Sequence, residues 1–125
     1  MLPFCARRGI AVITAGVFNS GLLATTAPAP GATFDYAAAP VPVVERTRAI
    51  AAVCAEHGIE LPEAAVRFAG EHPAVASVLV SGRTPAEIEE NTGRVARAEA
   101  RGDEAWDALW ADLVHRGLID RLPAR

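Results

Sequence analysis

The stretch that most constrains this chain is residues 75–91, which has the pattern of a buried strand, a tight turn and a capped helix. Residues 75–80 form a short, β-branched, apolar run, as a parallel strand covered on both faces requires. Thr84 is placed to cap the next helix, Pro85 suits its first position, and Glu87 completes a capping box. The sequence therefore predicts a strand that leads through a turn into a stable helix start.

The turn itself, Ser81 to Thr84, has the chemistry of an anion site. Gly82 permits a close backbone approach, and Arg83 carries a planar guanidinium that matches phosphate oxygens. The free N–H groups and positive dipole end of the following helix point to the same place. The alternative is an ordinary strand-to-helix turn with an exposed arginine, and spacing alone favours that alternative.

The first turns of the predicted helix carry further polar groups. Glu87 and Asn91 are four residues apart and share a helix face, with Glu90 on its flank, so they could face a ligand that lies across these turns. The simpler alternative is that Glu87 caps the helix while Glu90 pairs with Arg94. The residues alone leave both interpretations open.

The rest of the chain predicts an α/β order of elements. These are a strand at 10–14, a turn at 18–23, a long loop at 24–42, helices at 43–57 and 62–70 with Gly58 ending the first, the strand at 75–80, a helix at 85–100, and a last helix capped by Asp103 and ended by Gly117. A long helical crossover between two strands almost always makes them parallel. Two such strands alone leave open edges, so the pattern is that of a slice of a larger structure.

Composition and single residues exclude several classes of function. A net charge of −3 with interspersed signs gives no nucleic-acid surface. Cys5 and Cys54 are too few for a disulfide framework or zinc site, and we expect both to be buried and reduced. The three histidines stand at helix ends or turns with no metal-binding spacing. We predict no metal site, and no apolar run reaches the length of a membrane span.

Two parts of the chain keep alternatives open. Residues 1–27 superficially resemble a secretory signal, with two arginines, an apolar stretch and small residues, although Asn19 and Ser20 interrupt the apolar stretch. Near the other end, Trp106, Leu109, Trp110 and Leu113 form an apolar stripe at helical spacing. That stripe is either core or a face that docks a partner. A small secreted or partner-binding helical protein is thus the competing hypothesis.

Three blocks of sequence together resemble the C-terminal part of the aldo/keto reductases, in the branch that acts on aldose sugars. They are residues 8–23, residues 72–91, and residues 109–113 with Gly117-Leu118, and they occur in the right order at fitting separations. The resemblance implies a partial (β/α)₈ TIM barrel, made of the last two strands with their helices, within one domain over residues 1–125. It also implies NADP or NAD as cofactor and a cytoplasmic location.

The same resemblance implies which residues would contact the cofactor. Along the pyrophosphate lie Phe18, Asn19, Ser20, Gly21 and Leu22. The residues expected to hold the adenosine ribose and its 2′-phosphate are Ser81, Gly82, Arg83 and Thr84. Those expected near the adenine are Glu87, Glu90 and Asn91. Many relatives carry glutamine at one of the two glutamate positions, and a carboxylate near a phosphate is unfavourable.

No catalytic residue is expected here, because the family's catalytic Asp, Tyr, Lys and His come from strands with no counterpart in this sequence. We expect a cofactor-binding C-terminal fragment, from a truncated or split gene or a late start, that is inactive in isolation. The parent reaction would transfer hydride between a nicotinamide and an aldehyde or aldose carbonyl. The open strand edges of the fragment would favour pairing with a complementing chain or self-association.

Overall fold

The computed structural model describes residues 1–123 and contains mixed α/β structure. Its helices span Leu2–Arg7 (α1), Val41–Glu56 (α2), Leu61–Gly70 (α3), Pro85–Ala100 (α4) and Asp103–His115 (α5). Its strands span Val12–Thr14 (β1), Thr33–Phe34 (β2), Ala37–Ala38 (β3) and Val75–Val78 (β4). The predicted helices and the two parallel strands occur in the predicted order, with helix boundaries that differ from the predicted ones by two residues at most, whereas β2 and β3 are additional to the prediction.

Strands β1 and β4 pair in parallel, as the helical crossover between them predicts. Val12 lies opposite Val75 and Thr14 opposite Val78, with an irregular register in between. Backbone bonds extend the ladder at each end, because the Val12 N–H donates to the Ala74 carbonyl and the Leu79 N–H to the Thr14 carbonyl, both at 2.8 Å. Within residues 1–123 this sheet has two strands, and no closed barrel forms.

The expectation that residues 75–80 are covered on both faces is wrong for this chain. Strand β4 ends at Val78, Ser77 is exposed, and the Leu79 side chain beyond it is 59% exposed. In β1, which is shorter than predicted, Ile13 is 67% exposed. A short apolar strand is buried only when neighbouring strands and helices cover it. Within residues 1–123, β1 and β4 pair only with each other, so parts of both strands stay exposed.

The core lies among the helices rather than on the sheet. Its buried side chains come from α2, α3, α5, the end of α4 and the α2–α3 connection: Ala51, Val53, Cys54, Ile59, Leu61, Ala64, Ala98, Trp106, Leu109, Trp110 and Leu113. Trp106 is fully buried and Trp110 is 3% exposed, and their rings stack with centroids 5.6 Å apart. The apolar stripe of α5 is therefore core, and the docking-face alternative is not supported.

Helix ends follow the local signals in most places. Gly58 and Gly117 adopt φ values of +66° and +69° just past the C-cap residues of α2 and α5, where a residue without Cβ costs least. The N–H groups of Ile59 and Leu118 then bond back to carbonyls of the last helical turn. The prediction that Asp103 caps α5 is wrong, because Gly102 is the N-cap and Asp103 is the first helical residue.

The segment predicted as a long loop, residues 24–42, carries a short hairpin of β2 and β3. Asp35 and Tyr36 connect the two strands with φ values of +48° and +64°. Both central residues of a type I′ hairpin turn require such positive φ values. An Ala- and Pro-rich stretch gives no strand signal at this position, so the hairpin was not predictable from local pattern.

The structure of the amino-terminal segment does not support the secretory interpretation. Residues 1–27 form helix α1, strand β1 and successive turns, and β1 is built into the parallel sheet. No helix among residues 1–123 is long and apolar enough to cross a membrane.

Burial of the Cys54 thiol is expected to make the stability of the fold depend on pH in the alkaline range. Burial raises the pKa of its thiol from 9.0 to about 11, so the folded state favours the neutral thiol. As the pH rises, the Cys54 thiol ionises first in the unfolded chain. The stability that the neutral thiol gives to the folded state is therefore complete below pH 9 and is lost between pH 9 and about 11. We expect Cys54→Ala to flatten the fall in unfolding free energy over this range, measured by urea denaturation. If Cys54→Ala and the unmodified chain show the same pH dependence of unfolding, burial does not raise the pKa of this thiol.

Candidate functional site

The parallel pairing brings the two predicted cofactor segments to one edge of the sheet. Chain direction is the same in β1 and β4, so residues 15–23 and residues 79–84 both leave from the carboxyl ends of their strands. Helix α4 begins at Pro85, directly after the second segment. Ligands of parallel α/β structures bind at this edge, because the connections there are free to vary. Topology thus brings the two segments to the same edge of the sheet.

The turn before α4 has the predicted cap. The Glu87 N–H donates to the Thr84 hydroxyl oxygen at 3.2 Å, and Pro85 occupies the first helical position. Gly82 has its predicted close approach, but to the chain itself: a Cβ there would lie 3.0 Å from the backbone nitrogen of Ile88. The glycine therefore lets the turn pack against the first turn of α4, and any larger residue would have to push them apart.

Arg83 and Glu87 form a closed pair at this helix start. The Arg83 N–H donates to Oε2 of Glu87 at 2.6 Å, and the guanidinium Nη2 donates to Oε1 at 3.0 Å. The backbone N–H of Arg83 holds the pKa of the Glu87 carboxyl below its usual value, with smaller contributions from the guanidinium and the Thr84 N–H. Arg83 nevertheless remains 91% exposed. The carboxylate of Glu87 thus bonds chiefly to the residue before the N-cap, which differs from an ordinary capping box.

The other predicted adenosine contacts are already bonded within the protein. Asn91 donates from Nδ2 to the Ser81 carbonyl at 3.1 Å and accepts from the Arg94 guanidinium at 3.1 Å. The Glu90–Arg94 pair proposed from spacing is present at 2.7 Å. Asn91 and Arg94 are both buried, so they hold the turn against α4. The bond of Asn91 to Ser81 was not predicted; the amide ten residues beyond a turn carbonyl gives no local signal.

The pyrophosphate segment is folded as a series of turns. Asn19, Ser20 and Gly21 have φ values of +43°, +58° and +95°. Leu22 is 3% exposed, so it anchors the segment in the folded chain. Phe18 is half-buried, and its carbonyl accepts from the Leu23 N–H at 3.0 Å. The segment is therefore preset by its own backbone bonds.

Side chains of this segment bind the hairpin that sequence analysis missed. The Asp35 N–H donates to Oδ1 of Asn19 at 3.1 Å, and the Tyr36 N–H donates to the Ser20 hydroxyl at 3.0 Å. Thr33 donates its hydroxyl to the Ser20 carbonyl at 2.5 Å. The two left-handed turn residues of the hairpin are thus satisfied by the two polar residues predicted to contact the cofactor. A ligand here would meet the hairpin as well.

Two of the three histidines make hydrogen bonds that hold the fold together. His57 ends α2 and contacts Asp112 of α5 through Nε2 at 3.0 Å. His72 accepts from the Ala74 N–H through Nδ1 at 3.1 Å. In the part of the chain that the structure describes, no group of three His, Cys, Asp or Glu side chains could hold a metal ion.

Comparisons with known proteins point to one family. The model of the Aldo/keto reductase family matches residues 1–109. A D-threo-aldose 1-dehydrogenase from Pseudomonas sp is 37% identical over 119 residues, which cover 95% of this chain and 34% of that protein. A pyridoxal 4-dehydrogenase from Microbacterium luteolum is 41% identical over 109 residues, covering 86% of this chain and 31% of that protein. The chain thus spans about a third of the length of these curated relatives. No solved structure matches it significantly.

Proposed function

Because the chain belongs to the aldo/keto reductase family, we propose that it holds the adenosine end of a nicotinamide dinucleotide, NAD or NADP. When bound, such a cofactor would donate hydride to a carbonyl carbon or accept it from the corresponding alcohol carbon. Its redox partner in the parent reaction is proposed to be an aldehyde or aldose carbonyl, since the two similar dehydrogenases are named for an aldose and for pyridoxal. The role proposed for this chain is binding rather than chemistry.

The observation that carries this proposal is the shared edge of the parallel pair. Residues 18–22 and residues 81–84 come from distant parts of the sequence, yet both follow the carboxyl end of a paired strand. One segment is a rigid series of turns and the other has an exposed arginine at a helix start. A dinucleotide is long and carries anionic phosphates, so it suits a site with two such parts.

The residues fit an anionic group at the α4 start. A carboxylate, that of Glu87, already bonds to both the backbone N–H and the guanidinium of Arg83. These donors are therefore oriented toward one anion. We propose that Ser81, Gly82 and Thr84 shape this turn around the adenosine ribose, with Glu87, Glu90 and Asn91 toward the adenine.

The proposal extends to the fold. Strands β1 and β4 are proposed as the seventh and eighth strands of a (β/α)₈ barrel, in one domain over residues 1–125. The exposed apolar side chains of Ile13 in β1 and of Leu79 just beyond β4 would then be covered by neighbouring barrel strands, within a longer chain or from a complementing one. No general acid or hydride-positioning residue is assigned to this chain, so hydride transfer requires groups beyond its own.

The direct test is nucleotide binding by the chain and by Arg83→Ala. NADH or NADPH fluorescence titrated with the chain is expected to report binding that weakens about tenfold in the variant, since Glu87 loses its cation and then repels the phosphates. Arg7→Ala is the matched control, because α1 leads into the amino end of β1, at the opposite edge. Equal affinities for the chain and Arg83→Ala would remove Arg83 from the site.

A further inference from the structure

We infer that the hairpin of β2 and β3 positions the turn at residues 18–22 for the dinucleotide, and that Thr33 is a positioning residue of this contact. The inference rests on the function proposed above and adds to the site a part of the chain, residues 33–38, that spacing did not assign to it. The hairpin acts by fixing the backbone of the turn.

Unusual backbone conformations in this chain are concentrated at one contact. Among residues 1–123, the residues other than glycine with a positive φ are Asn19, Ser20, Asp35 and Tyr36. This conformation costs free energy in an L-residue, and it persists only where the surroundings enforce it. The two pairs are 16 residues apart along the chain, yet they bond directly to each other. Strain held at a single place is typical of sites that keep one shape for a ligand.

The hairpin donates three hydrogen bonds to the turn. Two come from its backbone, because the Asp35 N–H donates to Oδ1 of Asn19 at 3.1 Å and the Tyr36 N–H donates to the Ser20 hydroxyl at 3.0 Å. The third comes from a side chain, since the Thr33 hydroxyl donates to the Ser20 carbonyl at 2.5 Å. A substitution at Thr33 therefore removes one bond of the contact and leaves every residue of the turn unchanged.

The hairpin is itself fixed to helix α2 on both sides. Before it, Nε of Arg48 in α2 donates to the carbonyl of the buried Pro28 at 2.7 Å. After it, Pro40 is the N-cap of α2, whose side chains contribute to the core. The Ala39 N–H donates to the Ala32 carbonyl at 2.8 Å and closes the base of the hairpin. A continuous set of bonds therefore connects the core, through α2 and the hairpin, to the turn.

A turn that is fixed in advance binds a ligand more tightly. A flexible turn loses conformational freedom when it closes on a ligand, and this loss lowers the affinity. The apparent affinity also falls in proportion to the fraction of molecules that have the binding shape. The buried Leu22 anchors one end of the turn, and the hairpin holds Asn19 and Ser20 at the other. Loss of a hairpin bond is therefore expected to weaken binding while the core stays intact.

The experiment removes one hydrogen bond of the contact and then restores it. NADH fluorescence is titrated with the chain, Thr33→Val, Thr33→Ser and Thr25→Val. We expect Thr33→Val to weaken binding about fivefold, and Thr33→Ser, which keeps the hydroxyl, to bind within about twofold of the unmodified chain. Thr25→Val is the matched control, because Thr25 is an exposed threonine in the connection before the hairpin, and it is expected to change the affinity about twofold or less.

A second variant separates positioning by the backbone from contact by a side chain. Asp35→Asn/Tyr36→Gly gives the hairpin the Asn-Gly pair that type I′ turns prefer, and it keeps both backbone donors. We expect this variant to bind NADH as tightly as the unmodified chain or about twofold more tightly, since its turn is less strained. A loss of about threefold or more would mean that a side chain of the hairpin turn contacts the ligand, and would overturn the inference.

The outcomes separate this inference from the function on which it rests. If NADH binds equally to the chain and to Thr33→Val, the hairpin does not position the turn and only the inference falls. A loss of affinity that Thr33→Ser does not restore would also overturn it, because the hydroxyl would then not be the cause. If NADH binds to none of these proteins, the proposed function fails and the inference fails with it.

Discussion

Replacing Trp106 with alanine is expected to lower the free energy of unfolding by about 3–5 kcal/mol, as large aromatic deletions in cores do. The side chain is fully buried, stacks on Trp110 and lies under the guanidinium of Arg67 at 5.8 Å. Its indole N–H donates to the Ala98 carbonyl at 3.3 Å, which joins α5 to α4. Small domains are stable by only about 5–15 kcal/mol, so this loss would remove a large fraction of the total stability.

Urea denaturation followed by circular dichroism measures this effect. Tyr36→Ala is the matched control, because Tyr36 is 98% exposed and its loss is expected to change stability by about 0.5 kcal/mol or less. Trp106→Phe keeps an aromatic ring and serves where the alanine variant does not fold. A loss of less than about 1 kcal/mol for Trp106→Ala would show that the tryptophan pair is not the centre of the core.

The second large effect is expected at Glu63, a buried carboxylate on α3. Its side chain is 2% exposed and bonds to Arg97 through one oxygen and to Arg101 through the other, at 3.2 Å. Removing both arginines leaves the buried carboxylate of Glu63 without these cations. The arginine side chains are more exposed, so an arginine that loses its contact with Glu63 can still be solvated. We expect Arg97→Ala/Arg101→Ala to lower the Tm by about 10 °C or more.

Adding Glu63→Met to that double variant is expected to restore most of the loss, because an apolar side chain of similar size replaces the unpaired charge. The control is Arg46→Ala, which breaks an ion pair with Asp120 whose members are 52% and 96% exposed, and should shift the Tm by about 3 °C or less. Thermal melts of the four proteins decide the matter. No rescue by Glu63→Met would mean that the arginines act through contacts other than Glu63.

Much of the fold was predictable because its signals are local. Thr84 caps α4 and Gly58 follows the end of α2, each through bonds that reach only a few residues along the chain. The parallel pairing of β1 and β4 was also predictable, since a crossover of two helices leaves few other arrangements. The degree to which the two strands are buried was not predictable, because burial depends on elements outside the apolar segment that forms each strand.

The candidate site divides in the same way. The pairing of Glu90 with Arg94 follows from i,i+4 spacing and is present. The use of Asn19 and Ser20 to hold the turn at Asp35 and Tyr36 could not be predicted, because the partners are 16 residues away in a segment with no strand signal. Which acceptors a polar side chain meets across such a distance is decided by packing rather than by spacing.

The sequence by itself determined the order of the four long helices and the two parallel strands, the helix start at Thr84, and the family to which the chain belongs. Only the tertiary structure decided that Trp106 and Trp110 form the core, that the parallel strands remain half open, and that Glu87 closes onto both donors of Arg83. The physical reason is that local bonds depend on neighbours along the chain. Burial and the choice among competing donors depend on groups that only the folded chain brings together.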